Sequence, residues 1–444
     1  MKKSIAVLCI VGFVPLFSTG QSCPESFLGS KTLYQSQQLQ YIPPPEGYLP
    51  VFINHVGRHA ARHLTKGVNT TNIYQMLLHI DSLKGLSETG KLLKEKILLL
   101  EKVERKNIKF ISLLGKTEQT GLAERMFANN SHIFTHAKTI FHISYTKEIR
   151  TLQSCEAFLA AINTKIKESV ISKQLNDTTL RFYDLSPAFS EYKDNGKWHQ
   201  YLQQFKDSLK YNDLAVKVAR QFFSVSYINK LSSNELNSFT SELFGFVSIF
   251  YSIQQEIKDE GLKISDVDMQ RFFTCDQLST LGKIDNAEDY YIKGPGTALN
   301  GIQIKIAIPL LADFINTTDQ FVNSGKINVQ LRFSHAEAIA PIAALMGFAS
   351  NTTKQVKDIN QVWNSDKVIP LSSNIQWILY QKPGSENYLI KFLLNEKEVA
   401  IQGLATQSFP YYNWNTVRTF YIKKLESFNA GLNTDFVKYL RELK

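Results

Sequence analysis

Apolar and polar positions along the chain fall into short blocks of two kinds. Residues 51–56, Val-Phe-Ile-Asn-His-Val, form an apolar, β-branched run that breaks at Gly57 and predicts a strand. Thr139–Tyr145 alternates β-branched or aromatic positions with polar ones, and residues 327–333 alternate cleanly, so both predict strands. Residues 375–381 and 388–394 predict a hairpin across Lys382-Pro383-Gly384-Ser385. Residues 107–114 read as a short extended segment. Helical periodicity marks 115–129, 148–162 and 339–348.

Strands that alternate with helices predict an α/β fold with a parallel core. From about 185 to 288 the texture changes to helix-rich sequence with few strand signals, and 292–298 marks the return. The expected architecture is a Rossmann-like, mostly parallel sheet flanked by helices, with a smaller all-α insert. The core takes 21–184 and 289–444, and the insert takes 185–288.

Residues 1–20 stand apart. Lys2 and Lys3 precede an apolar run over 5–17, and Ser18-Thr19-Gly20 offers small residues for cleavage, as in a secretory signal peptide. The run is short for a membrane span, and no later segment approaches about 18 unbroken apolar residues. An exported protein without a stable membrane span is expected, periplasmic or secreted. Cys9 would leave with the leader. Cys23, Cys155 and Cys275 permit one disulfide, with the pairing open. No apolar residue precedes Cys23 as a lipidation motif needs.

Fifty basic residues oppose 40 acidic ones over 444 residues, a net charge of +10. That favours an anionic partner. There is no long Lys/Arg run and no zinc-finger spacing, so nucleic acid is not the expected partner.

Three predicted strands end in groups suited to an anion. Arg58-His59-Ala60-Ala61-Arg62 follows the first, Arg150 follows Thr139–Tyr145, and His335-Ala336-Glu337 follows 327–333. Ligands of open parallel sheets bind at the carboxyl ends of strands, and guanidinium forks match phosphate oxygens. His55, His59 and His63 are spaced by four, as on a metal-binding helix face. The β-branched run and Gly57 argue against a helix there, so neither metal nor other cofactor is expected. Gly115-Lys116-Thr117 is no phosphate-binding loop, since Phe110 stands where the loop needs glycine.

Arg58-His59-Ala60-Ala61-Arg62 resembles the Arg-His-Gly-x-Arg signature of the histidine acid phosphatases. His335-Ala336-Glu337 is similar to the His-Ala-Glu form of that family's second motif, which is typical of the multiple inositol polyphosphate phosphatases. Gly121-Leu122-Ala123 with Arg125, Arg150 with Ser154, residues 180–184 and residues 393–396 also fit. The chain departs from the signature at Ala60, usually glycine, and His63, usually proline. His63 could add a donor beside the pocket or be exposed.

The resemblance implies a phosphomonoesterase. His59 is the expected nucleophile and Glu337 the proton donor, with Arg58, Arg62, Arg150 and His335 neutralising phosphate oxygens and no metal. The implied substrates are inositol hexakisphosphate and lower inositol phosphates, at acidic to near-neutral pH. The rival readings are a broad-specificity acid phosphatase and a non-catalytic exported polyanion binder. Lys193 and Lys197 of the insert are weighed as distal phosphate contacts against the blander reading of solvated surface.

Overall fold

A computed structural model describes residues 23, 25–36, 40–135 and 138–444. The leader expected over 1–20 lies outside the described residues. Eight strands form one sheet: β1 (Leu49–Arg58), β2 (Thr139–Tyr145), β3 (Ser169–Leu175), β4 (Val329–Ser334), β5 (Asn374–Gln381), β6 (Tyr388–Leu394), β7 (Lys397–Glu398) and β8 (Tyr411–Asn413). Their order is β3-β2-β4-β1-β5-β6-β7, with β8 beside β6.

The half running β3-β2-β4-β1 is parallel, as strand–helix alternation predicts. From β5 onward every pairing is antiparallel, so the sheet as a whole is mixed. The short Lys382–Ser385 turn dictates the β5–β6 pairing, because a tight turn can only reverse the chain. Phe52 to Arg58 are all buried, since helices cover both faces of β1. Ile53 packs with Phe141, Leu331 and Phe333 under helices Leu113–Asn129 and Ile149–Asn163. Phe52 and Val56 face helices Ile308–Ser324 and Ala336–Met346 on the opposite side.

Residues 185–288 contain only helices and connections. Helix Ser233–Phe250 opens on a capping box between Ser232 and Glu235, and helix Cys275–Ile292 on one between Thr274 and Gln277. The latter helix runs unbroken past 288 towards the sheet. Helices Asn72–Ser82 and Glu88–Glu104, from earlier in the chain, join the same layer, and Leu86 bridges to Phe223. Cys23 and Cys275 form a disulfide, and Cys155 is free and buried.

Two local expectations change. Residues 107–114 are not an extended segment: only Ile111 makes a β-bridge, to Arg62, and a helix starts at Leu113. Ser112 is the reason, because its side chain accepts from the Gly115 N–H and caps that helix. β3 is an additional strand at the sheet edge, mostly exposed, with no apolar stripe to announce it.

Candidate active site

The carboxyl ends of β1 and β4 lie side by side, with Arg58 in register with Ser334. Beyond β1 the backbone is pinned residue by residue. His59 N–H donates to Ser334 O at 2.9 Å, and His59 O accepts from Ser372 N–H at 3.1 Å. Ala60 N–H donates to Ser154 Oγ at 3.1 Å, and Ala61 N–H to Glu118 Oε2 at 2.9 Å. Glu118 is buried and also accepts from Ser372 Oγ and Tyr34 N–H. Ala61 O accepts from Ser112 N–H at 2.9 Å. A Cβ on Gly115 would lie 2.1 Å from that same oxygen, so glycine is required where this helix meets the loop. Ala60 is not among the positive-φ residues, so alanine fits where the family signature has glycine.

His59 Nδ1 lies 3.0 Å from Ala60 O. A carbonyl oxygen only accepts, so Nδ1 carries the proton and Nε2 the lone pair. Burial first, then Arg58, Arg62 and Arg150, push the His59 pKa well below its ordinary value. The ring is therefore neutral and its Nε2 is a free base.

The three arginines lie within electrostatic reach of His59 and of one another. Arg58 Nη1 donates to Ser30 O and, at 2.6 Å, to Ile369 O. Arg62 Nη1 donates to His63 O at 2.8 Å, and Arg150 Nη1 to Glu148 Oε2 at 2.9 Å. The Nε–H of all three is buried and has no partner among the described residues. One such orphan on a charged group is costly. Three around one imidazole form a seat for an oxyanion. Burial, then Arg150 and Arg58, bring Arg62 down to about 10, which still leaves it charged at neutral pH.

His335 Nδ1 accepts from Arg150 Nη2 at 3.3 Å, and its Nε2–H donates to Thr146 Oγ1 at 2.9 Å. Thr146 in turn contacts Thr151 Oγ1, which donates to backbone carbonyls. Burial, then Arg150, bring the His335 pKa down to about 3. The guanidiniums and its own burial thus favour the neutral ring in the free site. That ring holds Arg150.

Glu337 occupies the first turn of helix Ala336–Met346. Its side chain is 40% exposed, and Oε1 lies 3.5 Å from Lys293 Nζ. Burial favours the neutral acid. Lys293, its own backbone N–H and Arg58 outweigh that and hold the carboxyl well below the usual range. Tyr183 lies edge-on to His335 at 6.5 Å.

Arg58, His59, Arg62, Arg150, His335 and Glu337 thus gather at one place. Sequence reasoning missed Lys293, Thr146 and Glu118, each of which acts through a tertiary contact. The only signal for Lys293 was its place in the stretch that returns from the helical segment. His63 is neither exposed nor a pocket donor. It is buried with Nδ1 3.0 Å from Glu104 Oε1 and Nε2 3.5 Å from Glu256 Oε1. Lys193 and Lys197 are exposed, Lys193 lying 3.8 Å from Asp194. Among the described residues, no group of three or more His, Cys, Asp or Glu converges as a metal site.

Comparison with known proteins bears on the fold and the family. Human multiple inositol polyphosphate phosphatase 1 is 23% identical over 239 residues, 50% of this chain and 45% of the human protein. The chain therefore aligns with a little under half the length of that relative. The Bifidobacterium longum multiple inositol polyphosphate phosphatase, solved with inositol hexasulfate, superposes with a TM-score of 0.77 at 19% identity, covering 92% of this chain and 99% of that one. The phytase of D. castellii gives 0.59 at 14% identity, covering 94% and 90%. At these identities the structural likeness establishes the fold. The model of the histidine phosphatase superfamily (branch 2) matches residues 52–395, and the chain belongs to that family.

Proposed function

We propose that this branch 2 histidine phosphatase hydrolyses inositol polyphosphates of the phytate type through a phosphohistidine on His59. The observation that carries the reading is the set of three buried, unpartnered guanidinium N–H groups around a neutral imidazole.

Arg58, Arg62 and Arg150 take the equatorial oxygens of the phosphoryl group, which otherwise repel a nucleophile. His59 Nε2 attacks phosphorus in line with the ester oxygen. The N–P bond forms as the P–O bond breaks, and Glu337 gives its proton to the departing alkoxide. Glu337 then takes a proton from water, which attacks the phosphohistidine and frees phosphate and neutral His59. In the free site Glu337 is a carboxylate. A bound phosphate dianion offsets the cations that hold it so, and a substrate arriving as the monoanion brings the proton. Turnover at acidic to near-neutral pH follows.

The basic balance of the chain supports a polyanionic substrate. So does its likeness to proteins named as multiple inositol polyphosphate phosphatases. The reading includes export through the 1–20 leader and a capping role for the 185–288 helices.

The test is phosphate release from inositol hexakisphosphate and from 4-nitrophenyl phosphate, in wild type and His59→Ala. We expect turnover that is lost in the variant, and an acid-labile phosphoprotein in wild type after rapid quench. Unchanged release by His59→Ala overturns the nucleophile. Turnover of 4-nitrophenyl phosphate alone makes the protein a general phosphatase.

A further inference from the structure

We propose that Lys293 is a positioning residue for the acid–base group: it ties Glu337 to Asp289 and thereby sets when that carboxyl holds a proton. The inference rests on the phosphohistidine reading above. Lys293 follows directly on helix Cys275–Ile292, and its backbone N–H donates to Asp289 O at 2.9 Å. Its Nζ lies 2.8 Å from Asp289 Oδ1 and 3.5 Å from Glu337 Oε1. One ammonium thus joins the end of the long helix to the start of the helix that carries Glu337. The chain turns tightly here. A Cβ on Gly294 would meet Tyr290 O at 2.9 Å, so glycine is needed just past Lys293.

The other charged and titratable groups around Glu337 do not make this contact. Arg58 and Arg62 face it from the end of β1, His335 from the residue before its helix, and Tyr183 from the Phe182–Asp184 turn. Among the described residues only Lys293 is within ion-pair distance. Around Lys293, Asp289 and Glu337 are opposed by Arg58, and Glu288 lies on the same helix.

The chemistry needs such a group. Glu337 must be protonated when the alkoxide leaves and ionised when water attacks. An ammonium at 3.5 Å favours the ionised form, and Asp289 moderates it by neutralising part of that charge. Removing Lys293 lets Glu337 keep its proton to higher pH. Removing the charge of Asp289 does the reverse.

The experiment is the pH dependence of first-turnover inositol pentakisphosphate formation from inositol hexakisphosphate, with 4-nitrophenyl phosphate as control. In Lys293→Met the alkaline limb moves up by at least about half a pH unit. In Asp289→Asn it moves down, and in Lys293→Arg it stays near wild type. With 4-nitrophenyl phosphate, whose phenolate leaves without a proton, the alkaline limb does not move. A purely structural role for Lys293 predicts slower turnover with unmoved limbs. Unmoved limbs in both variants, or shifts in the same direction, overturn the proposal. Thermal melts establish folding, and if Lys293→Met does not fold, the direction in Asp289→Asn decides. His59→Ala turning over like wild type overturns the underlying mechanism instead.

Discussion

Arg150 Nη2 donates to the Nδ1 of His335 at 3.3 Å, so the histidine stands as an acceptor beside a cation. Glu148 holds the other end of the guanidinium at 2.9 Å. Together they fix the plane of the fork, and its buried Nε–H has no partner among the described residues. Arg150→Ala removes one anion donor and frees His335. We expect kcat/KM to fall by about 10²-fold or more, with folding retained. Arg150→Lys restores charge but not the fork, and recovers only part of the loss. Steady-state kinetics with inositol hexakisphosphate reads both, and full activity in Arg150→Lys would show that charge alone matters.

Gly115 and Ala61 meet where the helix Leu113–Asn129 backs the loop of His59. A Cβ at 115 would sit 2.1 Å from Ala61 O, and backbone cannot yield as a side chain does. Gly115→Ala should cost about 1–3 kcal/mol and lower activity by displacing Arg62. Ala60→Gly tests the opposite case. With no positive φ to relieve, restoring the family's glycine should destabilise by roughly 0.4–1 kcal/mol and leave turnover intact. Denaturant titration with paired kinetics checks both, and a more stable Ala60→Gly would mean the loop is strained.

Much of this arrangement was legible because chemistry and periodicity coincide. Thr139–Tyr145 alternates between buried and half-buried positions, and a sequence shows such alternation directly. Arg58, Arg150 and His335 stand out because each follows a strand. β3 is hidden because an edge strand with an exposed Lys173 and Gln174 needs no apolar stripe. Thr146 meets His335 across 189 residues, and Glu118 meets Ala61 across 57, so neither role leaves a local pattern. His63 reads from the sequence as a donor beside the pocket or an exposed residue, and neither reading could anticipate its carboxylates. Its partners arrive from helices Glu88–Glu104 and Gln254–Asp259.

The Cys23–Cys275 disulfide ties the first described residue to the start of the helix that leads to Lys293. Closing so long a loop typically stabilises by about 2–4 kcal/mol. Cys23→Ser should lower the melting temperature, and reducing agent should reproduce that loss in wild type but add nothing in the variant. Burial pushes the Cys155 thiol up to about 12, so it should resist alkylation until the chain unfolds. Peptide mapping that finds Cys155 in a disulfide would refute this pairing.

His63 provides a stability term with a defined pH window. Burial alone would lower its pKa, but hydrogen bonds to Glu104 and Glu256 raise it to about 9. The folded value lies above the ordinary 6.5, so the contribution is complete below about pH 6.5 and is lost as pH rises through 9. Its size is on the order of 3 kcal/mol. Wild type should lose denaturation free energy between pH 7 and 9.5 beyond any loss in His63→Asn, whose curve should start lower and run flatter. His63→Pro should be worse still, because the His63 N–H donates to Phe110 O at 2.9 Å and proline has no hydrogen to offer. The usual proline of the family is therefore excluded by the same turn that places Ile111 against Arg62. Parallel pH curves for wild type and His63→Asn would show that the imidazole is not charged between its two carboxylates.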